Sequence, residues 1–287
     1  MMEKGIQFDN KGNTIYGIEH LPIAQNNHNN KMVIFLHGWS GYRTGPHDIF
    51  VKIARRLAQI GFGCVRFDFG GRGFSDGDQL TANFPSMLAD LHTVIDDITK
   101  RAYIHDIILV GMCSGARLGL YYIKYMTYGK ISHLIEISSP PLNETEDNTK
   151  MEVRKFNNSL KGYFNKAFDR GTYKKFRDGE INYRHIFKIL ISPFLNVAKK
   201  NDLKVVQAKR WEEKGTKYFK GAVLSIHGGK DPETALAVVQ IENMLEENEI
   251  AMEKHIIEDG NHSFYSIYWE KEIIDLIEGW LLKPSKS

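Results

Sequence analysis

One cysteine lies in a sequence pattern that is suited to nucleophilic chemistry. Residues 107–116 read Ile-Ile-Leu-Val-Gly-Met-Cys-Ser-Gly-Ala, an apolar run that ends in Gly111-x-Cys113-x-Gly115 and is followed by a helical pattern. This layout is typical of a nucleophile elbow, a tight strand-to-helix turn that lifts one side chain into a pocket. Glycines flank the turn because larger side chains there would collide. A thiolate at the centre is a stronger nucleophile than serine, but the thiol must first lose its proton.

Two alternatives to a nucleophilic Cys113 follow from the same residues. Free cysteine packs well in protein cores, so Cys113 also fits a small buried residue. Ser114 is a rival nucleophile, but an elbow centred on it would need small residues at positions 112 and 116, and Met112 is bulky. We therefore predict Cys113 as the nucleophile.

A thiol nucleophile needs a base, and the base needs a group that orients it. Downstream of the elbow, His262 follows an apolar segment in Asp-Gly-Asn-His-Ser-Phe, and Asp231 follows another in Gly-Gly-Lys-Asp-Pro. We predict His262 as the base and Asp231 as its orienting acid. Asp231 also fits a plain turn or an N-cap residue, because it precedes a proline. Asp259, three residues before His262, is the alternative orienter.

The pattern of the chain predicts alternating strands and helices. Eight strands are expected, at 5–10, 14–22, 31–37, 64–69, 107–112, 133–138, 222–227 and 253–258. Five amphipathic helices are expected between or after them, at 48–60, 84–101, 114–127, 233–247 and 264–282. Such alternation indicates a mostly parallel sheet covered by helices on both faces. Ligands bind such sheets beyond the carboxyl ends of the strands, where the loops with Cys113, Asp231 and His262 fall.

These residues resemble the α/β-hydrolase superfamily over almost the whole chain. The resemblance rests on His37-Gly38-Trp39, Asp68-x-x-Gly71-x-Gly73-x-Ser75, the elbow, Asp231 and Gly260-Asn261-His262, which occur in the order of the superfamily. It implies an α/β-hydrolase fold with a Cys-His-Asp triad. Cysteine departs from the commoner serine, although dienelactone hydrolases and some thioesterases also carry it.

A narrower resemblance is to the exosortase-system-associated hydrolases, which are found near exopolysaccharide genes. It rests on the elbow Gly-Met-Cys-Ser-Gly-Ala and on residues 163–168 and 173–182.

The fold also indicates where the oxyanion donors should be. We predict the backbone N–H groups of Trp39 (or Ser40) and of Ser114, the residue after the nucleophile. His37, which precedes Gly38, is expected to shape this loop. Residues 70–73 match no phosphate-binding pattern and are expected to form a structural turn. No His, Cys, Asp or Glu cluster has metal-ligand spacing, so we predict neither a metal nor a cofactor.

The segment 142–220 interrupts the alternation after the sixth strand. It has helical patterns and many aromatic residues, and its lysines and arginines outnumber its acidic residues. We predict a helical lid here, inserted into a core domain made of 1–141 and 221–287. An apolar underside with a basic exterior would suit an acyl group carried on CoA or on an acyl carrier protein, or an acidic polysaccharide. Amphipathic helices with solvated lysines would have the same composition.

Composition limits the possible functions. The chain has 287 residues and a net charge of +3, which gives no argument for nucleic-acid binding. No apolar run is long enough to cross a membrane, and the N-terminus lacks the apolar stretch of a signal peptide. Two cysteines give no disulfide framework, so a reducing cytoplasm is expected.

The sequence thus predicts an enzyme that acts on an ester or thioester through an acyl–cysteine intermediate. Acyl transfer with the same triad is one alternative. A catalytically silent protein that binds an acyl or glycan ligand is another.

Overall fold

A computed structural model describes residues 2–23, 30–80, 82–125, 130–142 and 219–283. These residues form eight strands in one sheet, with the order β1-β2-β4-β3-β5-β6-β7-β8. Strand β2 is antiparallel to β1 and β4, and the remaining neighbours are parallel. In chain order, β1–β8 span Glu3–Asn10, Asn13–His20, Lys31–Leu36, Gly63–Phe67, Asp106–Met112, Ile131–Ile137, Ala222–Gly228 and Ala251–Ile257.

Helices cover both faces of the sheet. In chain order, those of the described residues are α1–α5, which span Ile49–Gln59, Phe84–Thr99, Ser114–Tyr125, Thr234–Glu246 and Ile267–Leu281. Alternate residues of each inner strand point to opposite faces. Ile107 and Leu109 of β5 pack into the core beneath α2, α3 and α4, whereas Ile108 and Val110 pack into the core beneath α1 and α5. The predicted fold class is therefore confirmed.

The predicted element boundaries differ from the structure by a few residues. The last helix begins at Ile267 rather than at 264, because Phe264 has a φ of +50° and the Ser266 hydroxyl caps the helix by accepting the Tyr268 N–H at 3.3 Å. Helix α1 begins at Ile49 because Asp48 before it has a φ of +59°. Left-handed backbone cannot continue a helix, and hydrophobic periodicity does not detect it.

A buried polar cluster ties the carboxyl ends of β6 and β7 together. The Glu136 carboxylate, fully buried, accepts from His227 Nε2 at 2.8 Å, from the Ser225 hydroxyl and from the Ser139 N–H at 3.1 Å. A buried carboxylate is tolerated when it has several donors. This cluster fixes the strand end from which the Asp231 loop departs.

The predicted lid lies outside the described residues. Only Leu142, Phe219 and Lys220 of the segment 142–220 are described, so the lid and the division into 1–141 plus 221–287 stay predictions. Within the described ranges, no helix is both long and apolar enough to cross a bilayer. The cytoplasmic location also stays a prediction.

The turn between β5 and α3 passes very close to neighbouring backbone. A Cβ on Gly115 would lie 2.0 Å from the carbonyl oxygen of Leu36 at the end of β3, and a Cβ on Gly111 would lie 2.5 Å from the carbonyl oxygen of Gly115. Real Cβ atoms do not approach backbone so closely, so both positions require glycine. The glycines of the elbow pattern alone predicted this crowding.

Gly115→Ala should therefore destabilise the protein, because Leu36 belongs to a central strand that cannot move away. We expect a loss of at least about 2–3 kcal/mol in the free energy of unfolding, measured by urea denaturation. Gly279→Ala is the matched control, since a Cβ on this α5 glycine meets nothing within 4 Å. It should leave stability unchanged or raise it by about 0.5–1 kcal/mol. Equal stability of both variants would contradict the tight turn.

Candidate active site

Cys113 occupies the elbow between β5 and α3. Its φ is +56°, a left-handed conformation that non-glycine residues rarely adopt. Its N–H donates to the carbonyl of Ile137 on β6 at 2.9 Å, and its own carbonyl accepts the Arg117 N–H at 3.1 Å, which starts α3. The backbone is thus held from both sides. The side chain is only partly buried, as a nucleophile that must meet a substrate requires.

His262 and Asp231 meet beside this cysteine. Asp231 lies in the loop after β7 and is 8% exposed, and its Oδ2 lies 2.6 Å from His262 Nδ1 in the loop after β8. Because a carboxylate only accepts hydrogen bonds, Nδ1 carries the proton and donates it. The His262 ring lies near enough to the Cys113 thiol for each group to shift the pKa of the other. With Nδ1 engaged by Asp231, Nε2 is the ring nitrogen available to the sulfur.

The electrostatics favour a charged pair. Burial raises the pKa of the Cys113 thiol, but the hydrogen bond and positive charge of His262, with hydrogen bonds from Ser114, outweigh burial and bring the pKa below its usual value. The hydrogen bond to Cys113 is the largest cause that raises the pKa of His262 to about 9, and Asp231 adds to it against the effect of burial. The pair therefore favours thiolate and imidazolium.

Asp259, the alternative orienter, lies away from the histidine. Its side chain is 81% exposed, and its Oδ1 lies 3.8 Å from the Lys230 Nζ. Such an exposed pair contributes little to stability. The structure thus brings Asp231, and not Asp259, into contact with His262.

Both predicted oxyanion donors border the sulfur. The Trp39 N–H donates to the Ser114 hydroxyl at 3.3 Å, and that hydroxyl lies 3.8 Å from the Cys113 sulfur. A Cβ on Gly38, just before Trp39, would lie 3.8 Å from that sulfur, so the loop after β3 passes directly beside it. The roles of the Trp39 and Ser114 N–H groups as oxyanion donors stay predictions.

The His37 ring is hydrogen-bonded to the loop that contains Trp39. His37 Nε2 accepts the Phe69 N–H at 3.1 Å, so the proton is on Nδ1, which donates to the Gly38 carbonyl at 2.8 Å. Burial lowers the pKa of His37 to about 4, and the ring stays neutral at physiological pH. Its contacts are those of a residue that shapes the loop.

Arg72 holds the same loop, and the sequence analysis did not single it out. Its Nε donates to the Trp39 carbonyl at 2.7 Å, and its guanidinium lies 5.1 Å from the centre of the Trp39 indole ring. Gly73 beside it has a φ of +49°, and a Cβ there would lie 2.1 Å from the Asp68 carboxylate. The segment 70–73 is a turn, as predicted, but one that fixes the Trp39 peptide. The glycines of this segment predicted the turn, but they gave no indication that Arg72 contacts Trp39.

No metal site is evident in the part of the chain that the structure describes, where no group of three His, Cys, Asp or Glu residues is arranged around a common point.

The strand order, the elbow and the three loops at the carboxyl edge define an α/β hydrolase. The family model described as "Serine aminopeptidase, S33" matches residues 27–249, and the chain belongs to this family. Cysteine at the elbow differs from the serine in the family's description. No curated protein matches the sequence.

Solved structures show the same fold. Est1E from Butyrivibrio proteoclasticus, with bound ferulic acid, is 16% identical with a TM-score of 0.62, over 97% of this chain and 98% of that one. The Pyrococcus furiosus esterase PF2001 is 17% identical with a TM-score of 0.61, over 98% and 90%. Mouse alpha/beta hydrolase domain-containing protein 10 is 16% identical with a TM-score of 0.60, over 97% and 98%.

Iodoacetamide should distinguish the two cysteines. Cys64 is fully buried, and burial raises its pKa, whereas His262 lowers that of Cys113. We expect Cys113 to be alkylated at neutral pH and Cys64 only after unfolding, as read by peptide mass spectrometry. Replacement His262→Asn should slow labelling of Cys113 and move its pH midpoint toward the free-thiol value of about 8.5. Equal slow labelling of both cysteines would contradict the charged pair.

Proposed function

We propose that this hydrolase cleaves a carboxylic ester or thioester through an acyl–cysteine intermediate. Cys113 is the nucleophile, His262 the acid and base, Asp231 the group that orients His262, and Trp39 and Ser114 the backbone oxyanion donors. The observation that carries the proposal is the 2.6 Å hydrogen bond between Asp231 and His262, in a pair that lowers the pKa of Cys113 at a strained elbow. The esterase PF2001, which shares the fold, makes ester chemistry a natural first assay.

In the first half of the reaction the Cys113 thiolate attacks the carbonyl carbon. A C–S bond forms, and the carbonyl oxygen becomes an oxyanion that accepts from the Trp39 and Ser114 N–H groups. The C–O or C–S bond to the leaving group then breaks as the oxyanion collapses. The His262 imidazolium gives its Nε2 proton to the departing alkoxide or thiolate. The product is an acyl–cysteine thioester, with His262 neutral.

In the second half a water molecule replaces the leaving group. Neutral His262 takes a proton from water, the hydroxide attacks the acyl–cysteine, and the C–S bond breaks to release the carboxylic acid. The sulfur leaves as a thiolate beside the imidazolium, so the starting charges are restored. An acceptor alcohol in place of water would give acyl transfer by the same steps. If Cys113 does not react with any ester, the alternative is a catalytically silent protein that binds an acyl or glycan ligand.

The carrier of the acyl group stays a prediction. CoA and an acyl carrier protein were predicted from the basic charge of residues 142–220, nearly all of which are outside the described residues. The relation to exosortase-associated hydrolases rests on the elbow and on that same segment, so it also stays a prediction.

Substitutions at the triad test the assignment. Cys113→Ala should abolish both turnover of 4-nitrophenyl acetate and the acyl-enzyme mass shift, because no nucleophile remains. Asp231→Asn should lower kcat by at least about 100-fold, since the amide no longer orients His262 or stabilises its charge. Asp259→Asn is the matched control and should stay near the wild type, because Asp259 faces solvent.

Three outcomes would contradict the assignment. Loss of acylation in Ser114→Ala, with activity kept in Cys113→Ala, would move the nucleophile to Ser114. A normal Asp231→Asn enzyme beside an inactive Asp259→Asn enzyme would exchange the acids. Cleavage of aminoacyl 4-nitroanilides with no ester turnover would favour the aminopeptidase chemistry of the family description.

The pH dependence of kcat/KM should be bell-shaped. The thiolate is present above the lowered pKa of Cys113, and the imidazolium is present below the raised pKa of His262, about 9. Activity should therefore fall at acidic pH as the thiolate is protonated, and fall above about 9 as His262 loses its proton. The two limbs belong to the coupled pair. Asp231→Asn should move the alkaline limb to lower pH, and an unchanged limb would contradict the role of Asp231.

A further inference from the structure

Arg117 is a partly buried cation one helical turn beyond the nucleophile. Its backbone N–H donates to the Cys113 carbonyl at 3.1 Å, which fixes the two residues at the same end of α3. Its guanidinium lies 5.5 Å from the ring centre of Phe84, the first residue of α2. Burial lowers the pKa of Arg117, and the charge of Cys113 is among the interactions that act against this effect. The guanidinium is thus within electrostatic range of the reacting sulfur.

The donors of this guanidinium have no acceptor in the described residues. Arg66 donates to His20 Nε2 at 2.8 Å and to the Arg43 carbonyl at 3.1 Å, and Arg72 donates to the Trp39 carbonyl at 2.7 Å. For Arg117, within the described ranges, the ring of Phe84 is the contact that the structure provides. A guanidinium has five N–H donors, and that of Arg117 is only partly buried, so water can reach it. An anionic ligand would offer it charged acceptors in place of that water.

The surroundings of Arg117 also favour an anion. Helices α2 and α3 both begin at the catalytic edge of the sheet, and a helix N-terminus carries partial positive charge. Phe84, the first residue of α2, packs against Tyr121 of α3 with ring centres 5.1 Å apart, so the start of α2 lies beside α3 about two turns beyond the start of that helix. Glu233 interacts with Arg117 through its charge, but it is exposed, and no ion pair joins the two in the part of the chain described.

We propose that Arg117 binds a carboxylate of the substrate, so that the protein prefers esters or thioesters with a carboxylate near the scissile bond. This inference rests on the proposed function of Cys113. The planar guanidinium matches a carboxylate with two parallel hydrogen bonds. Because the Cys113 carbonyl accepts the Arg117 N–H at 3.1 Å, the two residues are near each other, and we expect a short spacer between this carboxylate and the ester carbonyl.

Matched esters test the preference. The 4-nitrophenyl hemisuccinate carries the carboxylate on the acyl side, and 4-nitrophenyl methyl succinate is its neutral counterpart. A second pair, 4-acetoxybenzoate and its methyl ester, places the charge on the leaving group and shows on which side of the scissile bond Arg117 acts. Wild-type kcat/KM should favour the charged member of at least one pair. No preference in either pair would overturn the proposal.

Arg117→Met removes the charge and keeps an unbranched stem beside Phe84. In the preferred pair it should lower kcat/KM for the charged ester by about 10- to 100-fold and leave the neutral ester within about twofold. Arg117→Lys should be intermediate, because lysine cannot donate two parallel bonds. Arg55→Met is the control for net charge, since Arg55 lies on α1, is 53% exposed and pairs with Glu3 of β1. An equal loss of kcat/KM for both esters in Arg117→Met would mean that Arg117 contributes only packing contacts. This result would overturn the proposal.

Alkylation of Cys113 gives a readout that needs no ester turnover. Iodoacetate and iodoacetamide present the same carbon and the same leaving iodide, and differ in a carboxylate against an amide. The rate ratio of iodoacetate to iodoacetamide should fall several-fold in Arg117→Met and stay constant in Arg55→Met. An unchanged ratio of the two alkylation rates would overturn the proposed role of Arg117 and would leave the proposed function of Cys113 untouched. If neither reagent labels Cys113 and no ester is cleaved, the proposed function fails, and this inference fails with it.

Discussion

The close packing of the β5–α3 turn against the end of β3 is the constraint on which the rest of the site depends. A Cβ on Gly115 would clash with the Leu36 carbonyl, and a Cβ on Gly111 would clash with the backbone of Gly115. The backbone path between the strand and the helix is therefore fixed. That route forces Cys113 to a φ of +56°, whose cost the surrounding sheet and helix must offset. The same contact brings the loop after β3, with the Trp39 N–H, beside the sulfur. One packing arrangement therefore positions both the proposed nucleophile and one of the two N–H groups proposed as oxyanion donors.

Charge distribution is the second determinant of the site. Asp231 is nearly buried, so its interaction with His262 is little weakened by water, while Cys113 on the other side of the ring also stabilises the imidazolium. A serine at the elbow would stay protonated until it attacked. A thiol whose pKa is lowered beside this histidine loses its proton more readily, so in the proposed mechanism the general base is less important for attack and the general acid is more important for the leaving group.

The sequence was sufficient to predict the features that depend on local spacing. Alternating apolar segments located all eight strands, and the glycines at 111 and 115 predicted the turn, because both signals come from neighbouring residues. It left Asp231 and Asp259 open, since the direction of each carboxylate depends on how the loops after β7 and β8 pack. Arg72 and Arg117 were missed for a similar reason. Their partners are brought to them by the fold, from positions that no local pattern relates to an arginine.

The contrast between the two cysteines has a consequence for oxidative stress. Peroxide reacts with thiolates that solvent can reach, and the first product is a sulfenic acid. Cys64 is fully buried, and its burial raises its pKa, whereas Cys113 is partly exposed and its pKa is lowered. Oxidation would therefore start at the sulfur of the proposed nucleophile. With Cys64 enclosed in the core beneath α1 and α5, it is not available as a resolving thiol, so recovery would depend on an external reductant such as glutathione.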